Sequence, residues 1–436
     1  MTNVVTLLNI TDKLSLQFAQ DAVGRFFLCL VTVMWVLVGI YAQKYKEHQT
    51  HNARFFVFYI LTWVMLAALT MAANYLTMYL CFEFMTLLSM PLVLHNGTPE
   101  SIAAAKKSLF YSIFGATLGL RGMFFVNNYG TTMAFTAGGV MDPAKIAGHE
   151  TLILWVAFLS VAGFGAKAGL FPLHAWLPTA HPVAPAPASA VLSGCITKAG
   201  VLCIIRLVYQ IFGVSLLRGT WVQTALIILA LITVFMGSMM AYGEDLMKKR
   251  FAFSTVSQVS YVLLGVFTMN ETALLGALLH AAYHSIIKDG LFLCAGTVIF
   301  WTHKEYVSQM KGLGRKMPVT FGCLAIFSLG LVGIPPFAGF LSKWYLASGS
   351  LSEGLPVLNW LAPAVLLVSA LLTAGYLFPI CIHGFFPAEG EPEAEGKEGS
   401  ALMLGPILVL AAATVLLGVF ASPLKNALLT AAQTLF

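Results

Sequence analysis

Apolar stretches of about 20 residues recur along the whole chain, and they restrict the possible fold more than any other feature. A helix of that length crosses a bilayer, and within lipid a helix satisfies all of its own backbone hydrogen bonds. About twelve such stretches are predicted, at residues 22–42, 54–73, 75–95, 105–126, 151–169, 188–211, 221–242, 252–268, 272–300, 318–345, 358–384 and 401–421. We therefore expect an all-α, polytopic transmembrane bundle.

The composition agrees with a membrane protein and excludes several classes of function. Of the 436 residues, 59% are hydrophobic and only 10% are charged, whereas about 25% charge is usual in soluble domains. The seven cysteines have neither paired nor iron-sulfur spacing, so we interpret them as buried apolar residues rather than disulfides or metal ligands. No dinucleotide-type glycine fingerprint or Walker sequence is present. We expect no cofactor in this chain and no nucleic-acid partner.

The loop cations predict the orientation. The loops after odd-numbered stretches, with the adjoining helix ends, contain Lys44, Lys46, Arg54, Lys106, Lys107, Lys248, Lys249, Arg250, Lys304, Lys311, Arg315, Lys316 and Lys397. The other side contains Lys13, Arg25, Lys145, Arg218 and Lys425. Because cytoplasmic loops are rich in Lys and Arg, we place the first side in the cytoplasm of a cell with the chain in its inner membrane. Both termini then face outward, to the periplasmic side.

A few ionisable residues fall inside the apolar stretches, where a charge costs about 2.5 kcal/mol or more and usually serves a function. They are Glu83, Arg121, Lys167, Lys198, Arg206, His280, His284, Lys288, Asp289 and Lys343. Arg121 and Arg206 lie near the ends of their stretches, so we expect both to snorkel toward water. Lys198 is either a proton carrier or a structural cation that faces backbone carbonyls.

Three of these groups share one helix face. His280, His284 and Lys288 follow each other at intervals of four residues, which is the geometry of a proton wire. Histidine titrates near pH 6.5 and relays protons through both ring nitrogens, although a single buried histidine often only bonds a neighbouring helix. Asp289 points about 100° away from Lys288. It is either an ion-pair partner of another helix or a proton site.

Glu83 and Lys167 form a candidate switch. A lysine buried in a protein interior holds its proton less tightly, and a nearby carboxylate restores its hold. If the two side chains approach, Lys167 keeps its proton, and if they part it releases the proton.

Prolines interrupt two of the apolar stretches beside embedded lysines. The first interruption, at residues 171–187, follows Lys167, and the second, at residues 333–336, precedes Lys343. They fall in the fifth and tenth stretches, and an offset of five reverses the direction of the chain across the membrane. Broken helices in corresponding positions of two halves indicate an inverted-repeat transporter.

The run KAGLFPLHAWLPTAHPVAPAPASAVLSG, followed by ITKAGVLCIIR, HAAYHSIIK and GIPPFAGFLSK, resembles a known family. It is similar to the antiporter-like membrane subunits shared by respiratory complex I, energy-converting membrane-bound hydrogenases and Mrp-type Na⁺/H⁺ antiporters. The resemblance covers roughly residues 54–386. It implies two inverted five-helix repeats, each with a broken helix and a half-channel, joined by a central hydrophilic axis.

This resemblance divides the chain into five parts. They are an N-terminal segment with the first helix (1–53), a first half-channel repeat (54–211), a second half-channel repeat (212–386), an acidic loop (387–400), and a last helix with a short amphipathic tail (401–436). The family core usually has fourteen helices, so the first two are expected to be absent or to come from another subunit.

The resemblance also assigns roles to residues of the first repeat. Glu83 is similar in position to the family's channel glutamate, and Lys167 to its partner lysine. Lys198 matches the central lysine. Lys107 resembles a lysine that opens the following helix, although its simpler interpretation, shared with Lys106, is a topology anchor at the cytoplasmic surface.

In the second repeat, His280, His284 and Lys288 match the relay that connects the two half-channels. Lys343 matches the terminal lysine or glutamate of the second half-channel. By the family mechanism, charge movement along this axis alternately stabilises and expels protons, with H⁺ or Na⁺ as the transported ion.

Three functions of different class remain open. The first is a proton-translocating subunit of a redox-driven complex of the complex I or hydrogenase type, with iron-sulfur or other redox centres in peripheral partner subunits. The second is a subunit of an Mrp-type cation/proton antiporter, and the third is a non-conducting scaffold. The first two imply further membrane subunits as partners, including other antiporter-like ones.

Overall fold

The computed structural model describes residues 4–11, 14–47, 51–387 and 395–436. Lys13 and half of the predicted acidic loop lie outside these residues. Eleven helices among the described residues are long and apolar enough to cross a membrane. Ten of them are single α-helices, namely α1 (Ala22–Lys46), α2 (Asn52–Thr70), α3 (Tyr75–Val93), α4 (Pro99–Tyr129), α6 (Glu150–Ala168), α11 (Trp221–Gly243), α12 (Met247–Phe267), α13 (Glu271–Thr302), α17 (Leu358–Phe385) and α18 (Ala401–Val419). The eleventh, residues 186–211, consists of several pieces.

Shorter elements connect or flank these helices. The short α-helices are α5 (Pro143–Ile146), α7 (Leu177–Val183), α8 (Ala186–Val191), α9 (Thr197–Ile205), α10 (Val214–Leu217), α14 (Leu313–Lys316), α15 (Pro318–Val332), α16 (Gly339–Leu351) and α19 (Ser422–Gln433). A 3₁₀ turn spans Val307–Gln309. The strands β1 (Val5–Asn9) and β2 (Ser15–Phe18) form one antiparallel hairpin, which the all-α prediction did not include.

The first broken helix begins where α6 ends. Gly169 adopts a left-handed φ of 84°, which favours glycine, and ends α6. Pro185 then separates α7 from α8, because the residue before a proline disfavours the helical conformation and Ala184 is extended. α8, with Pro187 in its first turn, continues directly into the next helical piece. Beyond α8 the chain forms two π-helical turns, Leu192–Ile196 and Arg206–Ile211, on either side of α9. We call Leu192–Ile196 the first π turn.

The second break divides the stretch predicted as one span at residues 318–345. The structure corrects that span to α15 and α16, separated by six residues that include two consecutive prolines. Gly333, with a φ of 90°, ends α15. A Cβ on Gly339 would lie 1.9 Å from the carbonyl oxygen of Gly330, so the two halves approach as closely as glycine permits.

Helix α13 forms the centre of the bundle. It has 32 residues, and every residue from Ala273 to Val298 is buried. Asn270 caps its first turn by accepting a hydrogen bond from the amide of Ala273. The helix packs against α1, α8, α12, α15, α16, α18 and α19. A titratable side chain on α13 is therefore enclosed by protein.

Candidate functional site

Lys198 and His284 form the closest ionisable contact at the centre of the bundle. Both side chains are buried, and the Lys198 Nζ lies 2.5 Å from His284 Nδ1. Lys198 also donates to the carbonyl oxygen of Ser193 at 2.9 Å, and the Thr197 hydroxyl donates to that same oxygen at 2.7 Å. Ser193 lies in the first π turn, where the helical ladder of hydrogen bonds is displaced. That turn therefore helps to fix Lys198 beside His284.

His280 continues the line from His284 toward the second break. The ring centroids of the two histidines are 6.3 Å apart. His280 Nδ1 lies 2.9 Å from the Ser342 hydroxyl on α16, and its Nε2 lies 3.1 Å from Gln258 Oε1 on α12. Its ring also stacks on Tyr261, with 5.2 Å between ring centroids. Both ring nitrogens thus have polar partners, one of which follows the second break.

Lys343 lies at the start of α16 and its side chain reaches across the second break. Its Nζ donates to the carbonyl oxygens of Leu331 and Val332 at 2.7 and 2.8 Å, at the end of α15. The last carbonyls of a helix have no partner within the helix, and they carry the negative end of its dipole. The ammonium group therefore caps α15 while lying 5.2 Å from the Tyr261 ring. Tyr261 thus borders both His280 and Lys343.

Lys288 has no direct hydrogen bond to the histidines among the described residues, although all three lie on α13. It is fully buried and donates to the carbonyl oxygen of Phe251 at 3.0 Å. Its Nζ also lies 5.7 Å from the centre of the Phe251 ring. The structure thus brings Lys198, His284 and His280 together and places Lys288 one turn beyond them.

Glu83 and Lys167 face each other without an ion pair. Across the described part of the chain, no nitrogen–oxygen contact within 4.0 Å joins the two side chains. Lys167 is buried, with its Nζ 5.3 Å from the Trp176 ring centre. The Trp176 indole is itself fixed by donating to the carbonyl oxygen of Ala166 at 2.7 Å. The structure therefore shows the two members of the predicted switch apart.

Lys107 lies at the edge of the bundle. It is exposed, and its Nζ donates to the hydroxyl of Thr179 in α7 at 3.0 Å. That bond ties α4 to the first broken helix rather than to the buried line of Lys198, His284 and His280.

Sequence reasoning missed several polar neighbours of this line. The residues that contact it most directly are Ser193, Gln258, Tyr261 and Ser342. A sequence pattern that could have indicated such neighbours is a group of polar residues within an apolar helix. In α12 the polar residues Ser254, Ser257 and Gln258 are fully buried. Lys248, interpreted above as a loop cation, is also buried and donates to the carbonyl oxygen of Ala184 at 2.9 Å.

Arg206 does not snorkel as predicted. It is 3% exposed and forms a two-pronged ion pair with Asp21, in which Nη2 lies 2.8 Å from Oδ1 and Nη1 contacts Oδ2. Asp21 also caps α1 by accepting a hydrogen bond from the Gly24 amide at 2.7 Å. Burial opposes ionisation of Asp21, but the hydrogen bonds and charge of Arg206 outweigh it, and the pKa of Asp21 lies below its ordinary value.

This ion pair predicts a stability effect that depends on pH. Because the pKa of Asp21 is lower in the folded protein, the stabilisation is present above the unfolded pKa of about 4 and is lost as pH falls below it. Asp21→Asn should destabilise the protein by about 1 kcal/mol at neutral pH, since Arg206 is buried but Asp21 is partly exposed. Thermal unfolding in detergent at a series of pH values measures this. The pair Asp142–Lys145, whose lysine is exposed, provides the control variant Asp142→Asn, and an equal effect of both variants would contradict the prediction.

Within the described ranges, no group of three or more His, Cys, Asp or Glu side chains is placed to hold a metal ion. Buried and partly buried groups instead form a line of proton donors and acceptors. It runs from Lys198 through His284 and His280 to Ser342 and Lys343, and we call it the axis.

Comparison with known proteins gives a consistent result. Residues 72–382 match the family described as "NADH:quinone oxidoreductase/Mrp antiporter, TM". NADH-quinone oxidoreductase subunit N of Desulforudis audaxviator is 31% identical over 421 residues, which cover 93% of this chain and 82% of that protein. A Na(+)/H(+) antiporter subunit of Alkalihalophilus pseudofirmus is 27% identical over 425 residues, which cover 97% of this chain and 84% of that protein.

Comparison with solved structures identifies a similar fold in a complex of the Mrp type. The solved structure of the Mrp complex from Dietzia sp. DQ12-45-1b contains a chain that aligns with a TM-score of 0.85 at 22% identity. The alignment covers 99% of this chain and 87% of that chain. The predicted all-α fold of the antiporter-like type is thereby confirmed.

Proposed function

This chain belongs to the NADH:quinone oxidoreductase/Mrp antiporter family of membrane proteins, and on that premise we propose that it translocates protons as the antiporter-like subunit of a redox-driven membrane complex. One observation carries the proposal. The axis runs from Lys198 to Lys343 through groups that can each hold or pass a proton: Lys198 contacts His284, the rings of His284 and His280 are neighbours, and His280 contacts Ser342, the residue before Lys343. An apolar bundle would not retain such a costly line of groups without a use for it.

Proton transfer begins at Lys198 in this mechanism. Its ammonium group gives a proton to His284 Nδ1, 2.5 Å away, and the resulting imidazolium releases a proton from Nε2. The 6.3 Å between the centroids of His284 and His280 is closed by ring rotation or by one bridging water. His280 then passes a proton through the Ser342 hydroxyl toward Lys343. Lys288 supplies a further buried positive site one turn from His284.

Glu83 and Lys167 control the entrance from the first half-channel. When Glu83 approaches, its charge stabilises the ammonium form of Lys167, and when it withdraws, burial favours release of the proton toward Lys198. The separated arrangement described above corresponds to the releasing state. Lys107 lies outside this line and acts by holding α4 against α7 through Thr179. We place the cation-rich loops in the cytoplasm, with both ends of the chain outside.

The redox-driven assignment is supported by the relative at 31% identity, which is named as a subunit of NADH-quinone oxidoreductase. The alternative is a subunit of a cation/proton antiporter of the Mrp type, which the Na(+)/H(+) antiporter relative at 27% identity favours. In both cases other membrane subunits, including antiporter-like ones, are the partners. In the first case peripheral subunits with iron-sulfur or other redox centres supply the electrons, and this chain holds no cofactor.

The experiment is to purify the chain with its native partners from membranes and to reconstitute the complex into sealed vesicles. Acidification of the vesicle interior upon addition of an electron donor and acceptor supports the redox-driven function. If no redox subunit copurifies and a sodium gradient drives proton movement instead, the Mrp-type assignment replaces it. If the reconstituted complex moves protons under neither condition, the translocation proposal fails.

A further inference from the structure

Asp289 is a buried carboxyl group that the axis leaves unused. It lies on α13 next to Lys288 and is fully buried. Neither of its carboxylate oxygens accepts a hydrogen bond from any residue that the structure describes. Instead the carboxyl group lies against Gly194 in the first π turn, where a Cβ on that glycine would come within 1.9 Å of Oδ1 and 2.5 Å of Cγ. The carboxyl group thus occupies space that only glycine leaves open.

The first π turn holds both Asp289 and Lys198 in place. The Gly194 carbonyl accepts a hydrogen bond at 2.6 Å from the hydroxyl of Ser285, one helical turn before Asp289. The carbonyl of the preceding residue, Ser193, accepts one from Lys198 at 2.9 Å. One irregular turn therefore brings an amine and an acid near each other, since Lys198 bonds the Ser193 carbonyl and the Asp289 carboxyl group lies against the adjacent Gly194. Among the described residues no nitrogen–oxygen contact within 4.0 Å joins the two side chains. π-helical turns occur frequently at functional sites.

The other groups that face this carboxyl do not neutralise it. Cys195 follows Gly194, and the hydroxyl of Tyr59 donates to the carbonyl of Trp35. A carboxylate without hydrogen bonds in a dry interior costs several kcal/mol unless a cation compensates it, and a neutral carboxylic acid costs much less. Lys198 is the cation that interacts with Asp289, so the charges of the two groups are linked.

We propose that Asp289 is a proton-accepting side site of the axis that exchanges one proton with Lys198. In this step a bond between Nζ and hydrogen breaks, a bond between carboxyl oxygen and hydrogen forms, and the ammonium and carboxylate become two neutral groups. The proton crosses between the two side chains when one of them rotates or through one bridging water. The proton on Lys198 thus has two destinations, forward to His284 or sideways to Asp289. The side site lets Lys198 be neutral while His284 or Lys288 is positive, which reduces repulsion along the axis. This inference rests on the proposed function.

The test compares Asp289→Asn with Gly194→Ala in the reconstituted complex. Asparagine keeps the shape of the side chain but cannot be protonated, and the alanine Cβ displaces the carboxyl group. Each variant should slow proton translocation about 10-fold. This loss is smaller than the loss of about 10²- to 10⁴-fold expected for a group in the direct line of transfer, because the forward path to His284 remains. The double variant should be no slower than either single one, because both remove the same interaction. Glu353→Gln is the matched control, since Glu353 is a buried carboxyl that bonds Gln223 away from the axis.

A second measurement separates proton storage from a structural role. During turnover, infrared difference spectra should show the carbonyl band of a protonated carboxylic acid, and this band should disappear in Asp289→Asn but persist in Glu353→Gln. The side site is overturned if Asp289→Asn translocates protons at the wild-type rate, or if that substitution leaves the infrared band unchanged. The axis stands in that case provided that Lys198→Met is inactive. Translocation that also survives Lys198→Met overturns the proposed function itself.

Discussion

Replacing Lys198 by methionine should reduce proton translocation by at least about 10²-fold, because the substitution removes the exchangeable proton at the start of the axis. Methionine has nearly the length of lysine and suits a buried apolar site. The assembled complex should therefore persist while acidification of reconstituted vesicles is lost. The expected size follows from the 2.5 Å contact with His284, which is the direct link between α9 and the relay on α13.

Two further variants make this result specific. Lys198→Arg keeps a positive charge, but arginine does not release its proton in proteins. It should therefore be as inactive as the methionine variant, which separates the need for proton exchange from the need for charge. Lys145→Met, at an exposed lysine outside the bundle, should pump normally. Full translocation by an assembled Lys198→Met complex would contradict the axis.

The membrane spans could be predicted because bilayer thickness sets the length of an apolar helix. The first predicted span, residues 22–42, corresponds to α1 at Ala22–Lys46, and the last, residues 401–421, to α18 at Ala401–Val419. The prolines within residues 318–345 predict a break, which lies between α15 and α16, although the apolar length alone predicts one span there.

Long-range pairings could not be predicted from the spacing of residues. The position of Arg206 near the end of its stretch predicts snorkelling. Its partner Asp21 lies 185 residues earlier, and the position of Arg206 in its own stretch gives no information about that contact. The spacing of His280, His284 and Lys288 predicted one helix face, but it could not show that Lys288 bonds the Phe251 carbonyl. Contacts between distant helices depend on how the helices pack together, and the periodicity of a single helix does not predict that packing.

The first π turn is a second feature that could not be predicted from the sequence. Its residues Leu192–Ile196 read as ordinary apolar helix, and no composition rule distinguishes a π turn from an α turn. Yet this turn directs the Ser193 carbonyl to Lys198 and places Gly194 against Asp289. The sequence therefore identified which groups are ionisable, while the backbone irregularity decides which of them meet.

Lys343→Met should also reduce translocation about 10²-fold, and it should lower thermal stability as well. The Lys343 ammonium group donates to the carbonyls of Leu331 and Val332 at the end of α15. Removing it leaves two helix-end carbonyls without this partner, which costs about 1–3 kcal/mol per group when the group is buried. Translocation in vesicles and the melting temperature of the purified complex measure the two effects.

Lys343→Gln separates these effects, because glutamine has an amide that donates hydrogen bonds but holds no exchangeable charge. It should recover much of the melting temperature of the wild type while translocation remains as low as in Lys343→Met. If the glutamine variant instead pumps normally, Lys343 caps the broken helix and carries no proton. The axis would then have to end at His280 and Ser342, and the second break would serve only to bring Ser342 within hydrogen-bonding distance of His280.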